Sequence, residues 1–486
     1  MALVHPGDWV NPVPPKRYDL VVLGGGTAGL VAALGAAGLG AKVALCEAGL
    51  LGGASLVSGS VPSKALLRSA HLAHEAQEAA DFGVETGDVE VDFAAVLERV
   101  RRLRADLAPN HSVPQLREAG VEVHLGTARF TAPDAVEVAG QRLRFRRALL
   151  ATGTRARIPP IAGLETSGYL TPATVFGLTR APRRLAVIGG GPLGCELAQG
   201  MARLGLEVTL LTDAKRLLPR DDAEASDVLA GALSTEVQLL LGTQVNWVER
   251  TAGSKVLYAQ AHGETLQVEV DEILLATGRT PALEGLGLEA AGIRLEGEYP
   301  ALDDFLRTSN SRVYAVGDVA GRWAFTHAAD AMARLAMHNA LFLGKKHLSA
   351  LHVPWCTYTQ PEVAHVGLGA EEAYAAGSRV LTLTTEMAVN ERAVLDGQTT
   401  GFARVHAEAR TGKLLGATLV SQHAGESIGE AALAVRLGLR LEALADTIHP
   451  YPTQAEVWKK LGEAWNAQRL TPGARALLKA VLSVQR

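Results

Sequence analysis

Cysteine is scarce in this chain of 486 residues. There are three, Cys46, Cys195 and Cys356, far apart in the sequence. That spacing excludes a CxxC redox pair and a zinc-type ligand set, so no metal site is expected. It also excludes a disulfide framework, which points to a reducing, cytoplasmic setting. An excess of one charge is missing too: 47 Lys and Arg stand against 51 Asp and Glu, a net charge of −4. Nothing in that balance favours nucleic acid or an acidic membrane as partner. The segment Leu20–Ala41 is uncharged and long enough to suggest a membrane span. Gly24, Gly25, Gly26 and Gly29 break it into a strand-like and a helix-like piece, so no span is expected. Met1–Pro15 has no charged start followed by an apolar core, so no signal peptide is expected there. Its prolines predict a loose arm.

What the chain has in quantity is glycine, 51 residues, much of it beside apolar runs. Tyr18–Leu23 reads as a strand buried on both faces. Gly24-Gly-Gly-Thr-Ala-Gly29 follows, then an Ala/Leu-rich stretch and a second strand over Lys42–Glu47. This is a βαβ unit for a dinucleotide. Gly24 allows the tight turn, Gly26 lets a pyrophosphate approach the backbone, and Gly29 lets helix and strand pack closely. Glu47 lies 18 residues after Gly29, where a ribose-binding acid belongs. The pattern returns with strand Arg184–Ile188, loop Gly189-Gly-Gly-Pro-Leu-Gly194 with Gly191 at the approach position, a helix over Cys195–Leu204 and strand Glu207–Leu211. Asp213 lies 19 residues past Gly194 and suits ribose hydroxyls, although the usual acidic position falls on Thr212. Two such folds suggest two dinucleotides with hydride or electron transfer between them.

Two further strands end in Ala-Thr-Gly turns: Ala148–Gly153, with Thr152 and Gly153 beside a nucleotide, and Ile273–Gly278. Arg312–Asp318 is a strand ending in an acid. After about Pro354 the pattern changes to antiparallel strands, such as Gly401–His406 and Leu414–Ser421, and helices over Gly425–Leu437 and Thr453–Gln468. The expected fold class is α/β, with two Rossmann-like domains and a C-terminal α+β domain. The expected bounds are 1–155 and 281–353 for the first dinucleotide domain, 156–280 for the second and 354–486 for the last.

In this order the pieces resemble the flavoprotein disulfide reductases: dihydrolipoamide dehydrogenase, glutathione reductase and mercuric reductase. The resemblance runs from about Tyr18 to about Leu470. It rests on Pro62-Ser-Lys-Ala-Leu-Leu67, the glycine loops, both Ala-Thr-Gly turns, Val316-Gly-Asp318, Tyr358-Thr-Gln-Pro-Glu-Val363 and His449-Pro-Tyr-Pro-Thr-Gln-Ala-Glu456. With Phe325-Thr-His-Ala-Ala-Asp330 it looks closest to mercuric-reductase-like members. The resemblance implies FAD at the first glycine loop, NAD(P)H at the second, and a homodimer through the last domain. It implies that Asp318 holds the ribityl chain and that Lys64, paired with Glu196, lies near flavin N5. It also implies that Glu456 reaches into the partner's active site.

The departures are as informative. The family's redox centre reads Gly-Gly-Thr-Cys-Leu-Asn-Val-Gly-Cys-Ile-Pro-Ser-Lys. Here it is Gly52-Gly-Ala-Ser-Leu-Val-Ser-Gly-Ser-Val-Pro-Ser-Lys64, with Ser55 and Ser60 in place of both cysteines. Ala54, Val57, Ser58 and Val61 also differ, which argues for natural divergence over an engineered trap. Serine forms no disulfide and offers no thiolate at neutral pH. The family's His–Glu dyad reads Tyr451 and Glu456. Mercuric reductases share that Tyr, but they carry a C-terminal cysteine pair, and this chain has none. Dithiol and Hg(II) chemistry are therefore not expected. Cys46, Cys195 and Cys356 read as packing residues. His327 and His449 are candidates for the active centre by family position only.

The reading that remains is an FAD-dependent NAD(P)H:acceptor oxidoreductase without a redox disulfide, with NADH favoured and a quinone or oxygen as small-molecule acceptor. A soluble pyridine nucleotide transhydrogenase is one alternative. A non-catalytic flavin-binding protein is another.

Overall fold

The computed structural model describes residues 2–261, 263–342, 344–470 and 472–485. Two compact units divide the chain: Met1–Asp213 with Leu240–Leu351, and Ala214–Leu239 with His352–Arg486.

In the first unit the strands of the first βαβ repeat form as the apolar runs dictate. Tyr18–Leu23 is buried except at half-buried Asp19 and pairs in parallel with Val43–Glu47 on one side and Gln141–Leu150 on the other. Val121–Leu125 adds the edge beyond Val43–Glu47, and Val313–Ala315 joins Gln141–Leu150. Strand Gln141–Leu150 changes character along its length. Its first half alternates buried and exposed residues, because there it is a ribbon with Ala135–Val138. Its last three residues, Ala148, Leu149 and Leu150, are buried on both faces between Tyr18–Leu23 and Val313–Ala315. Helix Thr27–Gly38 packs against helix Thr326–Leu341. Small residues allow the close approach: a Cβ on Gly35 would lie 2.9 Å from Met337 Sδ.

The same unit carries a second parallel sheet in the order Glu207–Leu211, Arg184–Ile188, Glu272–Leu275. Helix Pro192–Arg203 follows the second glycine loop. The fit to the expected helix differs by three residues at the start, because Pro192 is favourable in a first turn, where no N–H is needed. A three-stranded antiparallel sheet, Thr243–Arg250, Lys255–Ala261 and Glu264–Val270, completes it.

The second unit is built on an antiparallel sheet in the order Trp355–Thr357, Glu362–Gly367, Leu414–Ser421, Phe402–Glu408, Val380–Glu386. Helices Ala424–Leu437 and Glu456–Arg469 supply Ile428, Val457, Trp458 and Leu461 to its core. Arg404 on this sheet grips Asp222, the N-cap of helix Ala223–Leu233, at 2.9 Å.

One expectation is corrected. The N-terminal segment is not a loose arm. Val4 is fully buried in the core beside Leu51 and Val113, and the backbone of Leu3 and Val4 accepts hydrogen bonds from Val113 and Leu51. Proline content said nothing of the apolar side chain and unpaired carbonyls that dock it.

Candidate active site

The two glycine loops have the same build. Leu23 pairs with Cys46 and Ile188 with Leu211, so the loops start from equivalent registers. Gly24 N–H donates to Cys46 O at 2.8 Å, and Gly189 N–H donates to Leu211 O at 2.7 Å. Both glycines have positive φ. A Cβ on Gly29 would run into Gly24 O, and one on Gly194 into Gly189 O. Gly26 and Gly191 are different. They are the helix N-caps in nearly identical extended conformation, with no side-chain cap. A Cβ on Gly26 would meet nothing nearer than 3.7 Å, and one on Gly191 nothing within 4 Å. The space beside Gly191 is open and that beside Gly26 is bounded only by the Gly53 backbone, which suits an anion at a helix N-terminus.

Glu47 closes the first loop. Its carboxylate accepts from Gly25 N–H at 2.5 Å and from Gly49 N–H at 2.6 Å. On the other side Ala151 N–H donates to Leu23 O, and Gly153 takes a positive φ. The Thr152 hydroxyl is buried with no hydrogen-bond partner among the described residues, next to Gly24. A buried hydroxyl without a partner costs about 1–3 kcal/mol unless a ligand satisfies it. These residues therefore fit a dinucleotide at the first loop. Asp318, in the turn Gly317–Ala320, accepts from Thr154 Oγ1 at 3.0 Å, and Arg279 donates to the same hydroxyl at 2.5 Å. Neither Thr154 nor Arg279 stood out in the sequence.

At the second loop the register puts Thr212, not Asp213, in the place that Glu47 holds in the first. Thr212 is buried and Asp213 is exposed. Gly278 has positive φ and open space around it, while the Thr277 hydroxyl is satisfied by Arg157 O at 2.8 Å.

Lys64 and Glu196 meet across 132 residues of chain: Lys64 Nζ donates to Glu196 Oε2 at 2.7 Å. Lys64 lies one turn into helix Ser60–Gln77 and Glu196 one turn into helix Pro192–Arg203. Gly200 lets the two helices come together, since a Cβ there would sit 2.8 Å from Leu66 and 3.0 Å from Leu67. Glu196 is 3% exposed and Lys64 36%.

Ser55 and Ser60 also converge, through a residue that sequence reasoning passed over. The Thr326 hydroxyl lies 3.1 Å from Ser60 Oγ and 3.3 Å from Ser55 Oγ. Thr326 opens its helix within the Phe325–Asp330 stretch, so a signal was present but carried no role. Ser60 and Lys64 are four residues apart on one helix and share a face.

Tyr451 and Glu456 lie in the second unit. Tyr451 is exposed and its hydroxyl donates to Glu391. Glu456 begins helix Glu456–Arg469 and accepts from Thr453 N–H at 3.4 Å. His449 is nearly buried and paired with Glu430 at 3.0 Å, and His327 stacks on Phe325. Cys46 and Cys195 are buried, and Cys356 is half-buried. Burial pushes the Cys46 thiol up to about 12, so it supplies no thiolate at neutral pH. Among the described residues no group of three His, Cys, Asp or Glu side chains is arranged to hold a metal ion. No described helix is long and apolar enough to cross a membrane.

Residues 18–333 match the family model of the pyridine nucleotide-disulphide oxidoreductases, and residues 353–461 match that family's dimerisation domain. The chain belongs to this family. Mercuric reductase of Lysinibacillus sphaericus is 36% identical over 442 residues, covering 90% of this chain and 81% of the relative. Dihydrolipoyl dehydrogenase of Chlorobaculum parvum is 36% identical over 450 residues, covering 90% and 95%. Among solved structures, the HOCl-induced flavoprotein disulfide reductase RclA of Escherichia coli superposes with a TM-score of 0.82 at 27% identity, over 92% of this chain and 99% of that one. Members of this oxidoreductase family are FAD-dependent and use NAD(P)H.

Proposed function

We propose that this family member is an NAD(P)H:acceptor oxidoreductase that works without a redox disulfide. The observation that carries the reading is the hydroxyl cluster Ser55–Thr326–Ser60, whose Ser60 lies on the helix that also carries the ion-paired Lys64. Gly24, Gly26, Gly29, Glu47, Thr152, Gly153 and Asp318 would hold FAD. Gly189, Gly191, Gly194, Asp213 and Gly278 would hold the nicotinamide dinucleotide. Bound FAD supplies a two-electron carrier between nicotinamide and acceptor. Lys64 holds a positive charge where negative charge grows on reduction, and buried Glu196 keeps that ammonium aimed. The three hydroxyls donate hydrogen bonds to an oxygen-bearing acceptor. They offer no soft ligand for a thiol or mercury partner.

The acceptor is a quinone or oxygen. With a quinone the balance is NAD(P)H, a proton and quinone giving NAD(P)⁺ and quinol. NADH is the proposed donor, because exposed Asp213, one residue past the position of Thr212, would bring a carboxylate near the ribose and disfavour a 2′-phosphate. The proposed domain allotment is 1–155 and 281–353 around FAD and 156–280 around the nicotinamide nucleotide. Residues 354–486 would form a homodimer interface, which the dimerisation-domain match and the exposed apolar Leu433, Leu437 and Ile448 support. There Tyr451 and Glu456 would serve the partner's centre. A cytoplasmic enzyme fits the free cysteines.

The test is anaerobic mixing with NADH and, separately, NADPH while flavin absorbance is followed. Air, a quinone or the other oxidised nicotinamide is then admitted. Bleaching by about one equivalent of donor, with colour restored fastest by quinone or air, is the expected result. Fastest recovery with the second nicotinamide makes the protein a transhydrogenase. No bleaching with either donor refutes catalysis and leaves a flavin-binding role.

A further inference from the structure

The docked N-terminal segment reaches the first glycine loop from two sides. Residues 3–11 lie outside the family match, which begins at residue 18. On one side Leu51 N–H donates to Val4 O at 3.1 Å, and His5 Nδ1 lies 2.5 Å from Gly49 O. Gly49 in turn donates to Glu47, and Leu51 packs where a Cβ on Gly25 would stand. On the other side Asn11 treats Leu125 as a strand neighbour would. Its amide donates to Leu125 O at 2.9 Å, and its carbonyl accepts from Leu125 N–H at 2.7 Å. Trp9 Nε1 donates to Val123 O at 3.2 Å. Val121–Leu125 is the edge strand of the sheet, and the segment satisfies backbone groups that an open edge would leave to solvent. Leu125 is also the register partner of Glu47, and Gly126 N–H donates to Glu47 O at 2.8 Å.

We infer that residues 3–11 form a clamp that positions the Glu47 carboxylate and the Gly25 loop for the adenosine end of a dinucleotide. The inference rests on the reading that FAD occupies this loop. Glu47 is the last residue of strand Val43–Glu47, where regular ladder hydrogen bonding ends. The clamp fixes the residue after it through Gly49 and Leu51, and its neighbouring strand through Trp9 and Asn11. Asn11, Trp9 and Val4 are thus positioning residues, with no contact to the ligand required.

The experiment titrates FAD into apoprotein of wild type, Asn11→Ala and a variant lacking residues 2–11. NADH affinity, set by the second glycine loop, and the apoprotein's thermal midpoint are read in parallel. FAD binding should weaken about tenfold or more in both variants, with NADH affinity unchanged and with the Asn11→Ala midpoint within a degree or so of wild type. Equal FAD affinity in wild type and both variants overturns the clamp, as does weakening that only tracks a lowered midpoint or falls equally on NADH. Should wild-type apoprotein itself take up no FAD, the cofactor reading fails and the clamp with it, which separates the two failures.

Discussion

Replacing Lys64 with methionine keeps most of the side-chain length and removes the charge. Glu196, 3% exposed, is then left without the ammonium that now sits 2.7 Å away. Two unit charges at that distance attract by roughly 6 kcal/mol at an effective dielectric of about 20, and by about 1.5 kcal/mol in water. Lys64 is about one-third exposed, and desolvation of Glu196 offsets much of the attraction, so a net loss of about 2 kcal/mol is expected. Glu196→Gln costs less, about 1 kcal/mol, because the stranded lysine can turn toward water. The double variant should cost less than the two singles together, with a coupling of about 1–2 kcal/mol. Thermal unfolding of the FAD-free protein by circular dichroism measures the series. Anaerobic stopped-flow with NADH measures the same cycle in catalysis, where Lys64→Met should slow flavin reduction severalfold or more while FAD stays bound. Additive effects in both assays would refute the claim that the pair acts as a unit. Normal reduction kinetics in Lys64→Met would remove the charge from the chemistry.

The glycine loop separates packing from ligand space. Gly29→Ala drives a methyl into Gly24 O and should destabilise the fold, lowering soluble yield and the unfolding midpoint. Gly26→Ala meets nothing nearer than 3.7 Å and should fold normally, yet purify with little bound flavin. Full flavin content in Gly26→Ala would mean that the open space is not the pyrophosphate site. In the second unit, burial lowers the His406 imidazole to about 4. That folded value lies below the unfolded value of about 6.5, so the unfolded chain takes up the proton first as pH falls. The stabilisation is complete above about pH 6.5 and is lost as pH falls toward 4, at a cost of about 3 kcal/mol. His406→Gln should flatten this part of the profile in thermal midpoints measured from pH 7 to 4. An unchanged slope would show that another group carries the acid sensitivity.

The sequence alone determined the local parts of this protein. Strands Tyr18–Leu23, Arg184–Ile188 and Glu207–Leu211 fall where the apolar runs placed them. The glycine loops were legible because a turn with positive φ and a close helix–strand approach select glycine at fixed spacing, whatever the rest of the chain does. Composition settled that Ser55 and Ser60 form no disulfide. Tertiary structure alone decided which distant groups meet. Thr326 bridges serines 266 and 271 residues away, and nothing in a Phe-Thr-His stretch encodes that distance. The Lys64–Glu196 pair was suggested by resemblance, but its short contact depends on two helices meeting over Gly200. The N-terminal segment was misjudged for the same reason. Its prolines report backbone conformation, whereas docking depends on a buried Val4 and on a sheet edge whose free N–H and C=O groups exist only once the strands have assembled.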